Sequence, residues 1–166
     1  MGHTIELSCT TCNYSSDITL GSGMMHHFDN VYYGFLDKPP LLAKLVDNQK
    51  ITEKALSLIV TGAIPPSDYN HGFEPYVCPK CCYLESRFYF RLQKDNECYE
   101  PDYICNKCDT LLKSITFANG YRDFEFGNDD FDSSQLSYDD NGERIIFRCP
   151  DCDNDYFKGT VIIYWD

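Results

Sequence analysis

The chain has 166 residues, including ten cysteines, and 26 Asp and Glu residues give it a formal net charge of −12. A chain of this length can bury a core as one domain or as two small domains packed together. No charged segment followed by an apolar run stands near residue 1, and no stretch reaches the roughly 18 apolar residues that cross a bilayer. We therefore expect a cytoplasmic protein without membrane association.

The acidic residues are concentrated in the second half of the chain. Residues 1–95 contain 10 acidic and 8 basic residues, whereas residues 96–166 contain 16 and 6. Proteins that bind duplex DNA gain affinity by placing Lys and Arg against phosphates. The charge therefore does not favour nucleic acid as a partner.

Eight of the ten cysteines form four Cys-x-x-Cys motifs, which we call knuckles 1 to 4. In chain order they are Cys9/Cys12, Cys78/Cys81, Cys105/Cys108 and Cys149/Cys152. Segments rich in β-branched and aromatic residues flank each knuckle, among them HTIELSC, FEPYVC, PDYIC, ERIIFRC and DYFKGTVIIYW. The pattern predicts a mostly β protein with a small α insertion (α+β), built from antiparallel strands with a zinc knuckle at each hairpin tip.

An insertion at about residues 21–73 separates knuckles 1 and 2 and is not typical of strand. KPPLLAKLVDNQ predicts a helix that begins near its prolines and has its apolar residues on one side. ITEKALSLIVTGAIPP predicts a second helix, capped by Thr52 and followed by Gly62. We expect both helices to cover the core.

An acidic, aromatic segment at about residues 119–142 separates knuckles 3 and 4. Eight acidic residues lie between Asp123 and Glu143, interleaved with aromatic rings. Such a segment can present carboxylates to Lys and Arg of a basic protein while its rings anchor the contact; the alternative is a solvated loop. The candidate partner-binding residues are Phe124, Phe126, Asp129, Asp130, Phe131 and Asp132.

Four knuckles predict two Zn²⁺ ions per chain. Structural zinc takes four ligands in a tetrahedron, and each knuckle supplies two sulfurs from one rigid turn; iron is the alternative metal. The strands that follow the knuckles, the exit strands, alternate between short and long along the chain. This alternation favours one metal site shared by knuckles 1 and 2 and another shared by knuckles 3 and 4, which gives zinc-ribbon units at 1–95 and 96–166. The 23-residue spacer between Cys81 and Cys105 favours 2 with 3 and 1 with 4, so both pairings stay open.

His26 and His27 do not fit the pattern of a zinc finger. A Cys₂His₂ finger requires histidines three to five residues apart on a helix, and these two are adjacent. We expect them to be loop residues, which leaves Cys78 and Cys81 as the expected partners of knuckle 1.

The residue after the second cysteine of a knuckle often adopts a positive φ, which Gly, Asn and Asp tolerate best. Here these positions hold Asn13, Cys82, Asp109 and Asp153. Cys82 is the exception: it is strained, lies in a different turn, competes with Cys81 as a ligand, or packs unligated beside the site. We expect Cys98 to be unligated.

The chain resembles a family of bacterial proteins with paired zinc ribbons. MGHTIELSCTTCNYSSDITLGSGMM is similar to the family's opening of strand, knuckle, aromatic residue, strand and Leu-Gly-x-Gly-Met. CPDCDNDYFKGTVIIYWD is similar to its final knuckle and a strand that ends in Trp-Asp. The resemblance implies that the four cysteine pairs are metal ligands. The family has no assigned activity, so the resemblance leaves function open.

We expect a non-enzymatic interaction or adaptor protein. One alternative is a nucleic-acid-binding zinc ribbon in which Phe88 and Tyr89 stack on bases beside Arg87 and Arg91. Another is an acidic protein that imitates DNA. A thiol redox enzyme is the least favoured alternative, because strands rather than helices follow the knuckles and paired knuckles leave a metal no open position.

Overall fold

The computed structural model describes residues 2–34, 38–66, 71–117, 131–132, 136–138, 148–154 and 157–165. Strand exceeds helix in these residues, and the strand pairs between them are antiparallel. The predicted mostly β fold with a small α component is confirmed.

The elements follow one another along the chain as expected from the alternation of polar and apolar residues. The strands are Gly2–Cys9 (β1), Ser15–Gly21 (β2), His71–Val77 (β3), Leu84–Phe90 (β4), Leu92–Lys94 (β5), Glu97–Tyr99 (β6), Lys113–Ser114 (β7), Thr116–Phe117 (β8), Phe131–Asp132 (β9), Leu136–Tyr138 (β10) and Phe157–Trp165 (β11). The helices are Phe28–Tyr32 (α1), Leu42–Leu45 (α2) and Gln49–Val60 (α3), and a 3-10 turn covers Met24–His26.

The main sheet has the strand order β4-β3-β2-β1-β11-β9, and β7 lies beside β3. Strand β1 pairs with β2 on one side through residues Gly2 to Ser8, and with β11 on the other side along its full length. Cys9, the last residue of β1, therefore stands opposite Phe157, the first residue of β11. This pairing places knuckle 4 beside knuckle 1.

The β3-β4 hairpin meets the β1-β2 hairpin mainly through side chains. Backbone pairing between β2 and β3 is confined to Gly21 opposite Phe73. The hydroxyl of Ser86 accepts a 2.7 Å hydrogen bond from the backbone N–H of Thr19. A side chain of β4 thus satisfies a β2 backbone donor that no strand pairs with there.

Two hydrophobic clusters support the two pairs of knuckles. The larger one packs the helices on the β3-β4 hairpin, and its fully buried members include Tyr32, Leu42, Ala55, Phe88 and Phe90. The smaller one lies between the hairpins and contains Ile5, Leu7, Ile18, Leu20, Val77, Leu84 and Ile115. The predicted helices therefore cover a core.

The prediction that Thr52 caps the second helix is wrong. The cap lies four residues earlier, where the side-chain oxygen of Asn48 accepts hydrogen bonds from the N–H groups of Lys50 and Ile51 at 3.1 and 3.2 Å. Thr52 is buried in the first turn. Asn at this position satisfies N–H groups that have no intrahelical acceptor.

Other details also differ from the predicted elements, among them helix α1, which was not predicted. The segment PDYIC forms no extended strand and contributes a single bridge between Ile104 and Leu111. Strand β6 was not predicted and pairs with β5. Most of the predicted strand ERIIFRC lies outside the described residues. In the part that the structure covers, every helix is too short or too polar to span a bilayer.

Candidate metal centres

The eight knuckle cysteines come together in two groups of four. Site A consists of Cys9, Cys12, Cys149 and Cys152; site B consists of Cys78, Cys81, Cys105 and Cys108. Within each group all four Sγ atoms lie within 4.8 Å of one another. Each group can hold a metal ion.

The separations between sulfurs fit a tetrahedral ion. A Zn–S bond of about 2.3 Å places the sulfurs of a tetrahedron about 3.8 Å apart. In site A the Sγ atoms of Cys9 and Cys152 are 3.6 Å apart. In site B the separation is 3.3 Å for Cys78 and Cys108 and 3.6 Å for Cys81 and Cys105. All ten thiols are free, so the groups are not disulfides.

A shared backbone turn positions the sulfurs. In every knuckle the N–H of the first cysteine donates to the carbonyl oxygen five residues later, at 2.7 to 2.9 Å. Backbone N–H groups within the turn also point at sulfur: Thr11 to Cys9 at 3.4 Å, Cys81 to Cys78 at 3.5 Å, and Lys107 to Cys105 at 3.4 Å. These donors favour thiolate over thiol.

The residue after the second cysteine has a positive φ in three knuckles. The values are 56° at Cys82, 56° at Asp109 and 60° at Asp153. In each, that residue's N–H bonds to the carbonyl oxygen of the knuckle's first cysteine at 2.9 to 3.0 Å. Asn13 does not have a positive φ, so the prediction is wrong for knuckle 1. Cys82 instead occupies the strained geometry that its residue type disfavours.

The pairing of knuckle 1 with 2 and of knuckle 3 with 4 is wrong. Site A joins knuckles 1 and 4, and site B joins knuckles 2 and 3. The reason is the β1-β11 pairing, which brings together chain segments that the exit-strand pattern placed in separate units. The short spacer between Cys81 and Cys105 was the better guide. The division into units at 1–95 and 96–166 stays a prediction.

Hydrogen bonding and burial lower the pKa of some thiols in each site and raise the pKa of others. Burial opposes ionisation of Cys9, but hydrogen bonds led by the N–H of Thr11 outweigh it and lower its pKa to about 6. The hydroxyl of Thr110 and a neighbouring thiol lower the pKa of Cys108 to about 6. Burial and the other three thiols raise the pKa of Cys81 to about 12. Each site therefore already favours one thiolate, and a cation would replace the remaining protons.

Two polar contacts to sulfur were missed by the sequence analysis. The side-chain amide of Asn154 lies 3.7 Å from the Sγ of Cys9, and the hydroxyl of Thr110 lies 3.4 Å from the Sγ of Cys108. Both residues stand two positions after the last cysteine of a knuckle. The corresponding residues in the other knuckles are tyrosines, so this position by itself did not predict a polar contact to sulfur.

The remaining cysteines and the two histidines lie outside the groups. Cys82 is half-buried and Cys98 is exposed, and neither belongs to a metal-binding group of the described residues. The idea that Cys82 competes with Cys81 as a ligand is therefore not supported. His26 packs edge-on against Phe88, and His27 is exposed; neither joins a cluster there.

One of the two rings suggested for base stacking is not accessible. Phe88 is buried in the larger cluster. Arg87 pairs with Glu85 at 2.9 Å, and Arg91 lies 3.5 Å from Glu100. One ring and both cations are thus already engaged within the protein.

The acidic segment is mostly outside the described residues. Phe124, Phe126, Asp129 and Asp130 lie there, whereas Phe131 and Asp132 form β9 at one edge of the main sheet. In β11 these two residues stand opposite Gly159 and Lys158.

The fold and the two groups define the class: a mostly β protein with two four-cysteine groups that can hold metal ions. Comparison with family models, with curated proteins and with solved structures gives no match.

Proposed function

We propose that the chain is a structural zinc protein that binds two Zn²⁺ ions and acts by binding a partner, without catalysis. The observation that carries the metal assignment is the gathering of eight thiols into two groups with tetrahedral spacing. Four thiolates complete the coordination of zinc, so neither site leaves a position for a substrate.

The choice of zinc rests on the ligand set. Four thiolates suit zinc or iron, and zinc is redox-inert, which suits a site whose purpose is to hold a fold. Each occupied site would bind two otherwise separate turns together. Because thiols must lose their protons to bind, metal affinity should fall with falling pH.

The proposed partner is a basic protein surface. Support comes from the net charge of −12 and from the concentration of acidic residues between Asp123 and Glu143. Strand β9 joins Phe131 and Asp132 of this segment to the main sheet. The sheet would serve as the scaffold from which the segment meets Lys and Arg side chains, and electrostatic attraction would accelerate the encounter.

Native mass spectrometry of protein from zinc-supplemented cells tests the metal assignment. We expect two zinc ions per chain, and unfolding when a strong chelator removes them. Substituted Co²⁺ should give the intense visible absorption of a tetrahedral thiolate site. The control is Cys98→Ser, which should keep both ions because Cys98 lies outside both groups. A wild-type protein without bound metal would refute the proposal.

A model peptide rich in Lys and Arg tests the partner assignment. We expect wild-type protein to bind it with an affinity that falls as salt is added. The variant Asp129→Asn/Asp130→Asn/Asp132→Asn should bind more weakly, whereas a control with three substitutions in the first half, Asp47→Asn/Glu53→Gln/Asp29→Asn, should not. Equal losses in the two variants would show a net-charge effect and contradict a specific acidic surface.

A further inference from the structure

We infer that the two metal sites have different roles: site B holds its ion permanently, whereas site A exchanges its ion and thereby controls the strands that carry the acidic segment. This inference rests on the proposed function, since both groups must bind metal. It is carried by differences between the sites in burial, in local charge and in position within the sheet.

The first difference is burial. In site B the sulfur-bearing residues Cys78 and Cys105 are 1% and 0% exposed, and Cys81 and Cys108 pack against the larger hydrophobic cluster. In site A, Cys152 is exposed and packs in neither cluster. Cys9 and Cys149 of site A are buried as well, so the sites differ at their fourth cysteine, which is exposed in site A (Cys152) and half-buried in site B (Cys108). A chelator or competing thiol therefore reaches a ligand of site A more readily than one of site B.

The second difference is local charge. An ion with four thiolates carries two net negative charges, so cations nearby stabilise it and anions destabilise it. The turns of site B contain Lys80 and Lys107 against one carboxylate, Asp109, which follows knuckle 3. The ammonium group of Lys107 lies 4.0 Å from the ring centre of Tyr83, next to the site.

The turns of site A carry the opposite charge. Knuckle 1 has two uncharged threonines between its cysteines, whereas knuckle 4 contains Asp151 and is followed by Asp153. Arg148, which directly precedes knuckle 4, pairs with Asp153 at 3.1 Å. Two carboxylates with one neighbouring guanidinium leave the negative charge of an occupied site A less compensated than that of site B.

The third difference is position. Site A ties the end of β1 to the turn that precedes β11, and β9 pairs with β11 at Lys158 and Gly159. Loss of its ion would free this end of β11 and the neighbouring β9, which contains Phe131 and Asp132. Site B stabilises the β3-β4 hairpin and the larger cluster, so it would keep the rest of the fold together.

Timed zinc release to a chromophoric chelator tests the inference. We expect wild-type protein to release its two ions in two phases that differ about tenfold or more in rate, as neighbouring-charge and hydrogen-bond differences commonly produce. Cys152→Ser should lack the fast phase, and Cys108→Ser should lack the slow phase. Equal rates, or a slow phase that survives in Cys108→Ser, would overturn the inference.

Charge variants that keep all eight ligands avoid the risk of misfolding. Lys80→Gln/Lys107→Gln should accelerate the slow phase several-fold and leave the fast phase unchanged. Asp151→Asn should retard the fast phase alone. If neither variant alters its own phase, local charge does not distinguish the sites. Wild-type protein without zinc would instead contradict the proposed function itself.

Hydrogen exchange during the fast phase provides the structural readout. After loss of the first ion, amide exchange should increase in β9 and β11 and stay unchanged in β3 and β4. An increase confined to β3 and β4 would assign the exchangeable ion to site B and refute the inference.

Discussion

The hydroxyl of Tyr103 donates a 2.6 Å hydrogen bond to the carbonyl oxygen of Phe88, and both residues are buried. Tyr103 stands two residues before Cys105, and its ring packs edge-on against Tyr76. The bond fixes the approach of knuckle 3 to the hairpin that carries knuckle 2. Assembly of site B thus depends on a contact outside the cysteines.

We predict that Tyr103→Phe lowers the free energy of unfolding by about 1–2 kcal/mol, because it leaves a buried carbonyl oxygen with one hydrogen bond fewer. Urea denaturation of the metal-loaded protein measures this. Tyr89→Phe is the control: its exposed hydrogen bond to Glu100 should contribute less than about 0.5 kcal/mol. Equal losses would mean that the Tyr103 bond has no special role.

Cys82→Gly should stabilise the protein by about 1 kcal/mol, since glycine adopts a φ of 56° without the steric cost of a side chain. Two metal ions should stay bound, because Cys82 belongs to neither site. The matched change Asn13→Gly should destabilise the protein, as φ is not positive there and glycine only adds entropy to the unfolded chain. Loss of an ion from Cys82→Gly would show that Cys82 is a ligand.

The stability of the protein should fall as the pH is lowered below about 6.5. Burial, and then the charge of His71, lower the pKa of His26 below its usual 6.5. Below that pH the unfolded chain binds more protons than the folded protein, so acid favours unfolding, and the effect is absent at higher pH. Denaturation midpoints measured between pH 5 and 8 would show this loss of stability at low pH.

His26→Gln should weaken this pH dependence, whereas His27→Gln at the exposed neighbouring position should preserve it. Part of the dependence should survive in His26→Gln, because burial also lowers the pKa of His3 and acid releases metal. Identical pH profiles for the two variants would contradict the role of His26.

Gly34→Ala should destabilise the protein by about 3 kcal/mol, because φ is +79° and a Cβ would lie 2.1 Å from the carbonyl oxygen of Lys38. Gly62→Ala tests the effect of φ alone, because Gly62 has a φ of +95° and there is open space around the added Cβ. We expect this substitution to lower the free energy of unfolding by about 1 kcal/mol. Thermal unfolding of both variants compares them. Equal costs would show that the carbonyl group of Lys38 moves away from the added Cβ at little cost.

Local residue patterns determined the elements and the ligands. The β-branched and aromatic segments predicted β1 to β4 and β11, and the Cys-x-x-Cys spacing identified all eight sulfurs that gather in the two sites. Both depend on interactions within a few residues: side-chain alternation along a strand, and one turn that aims two sulfurs at the same point. Such information is present in any short window of the sequence.

Only the tertiary structure decided which knuckles share a site. Cys9 and Cys152 are 143 positions apart and yet lie 3.6 Å from each other, because β1 pairs with β11 along eight residues. That pairing depends on burial and register across the whole chain, which no local pattern encodes.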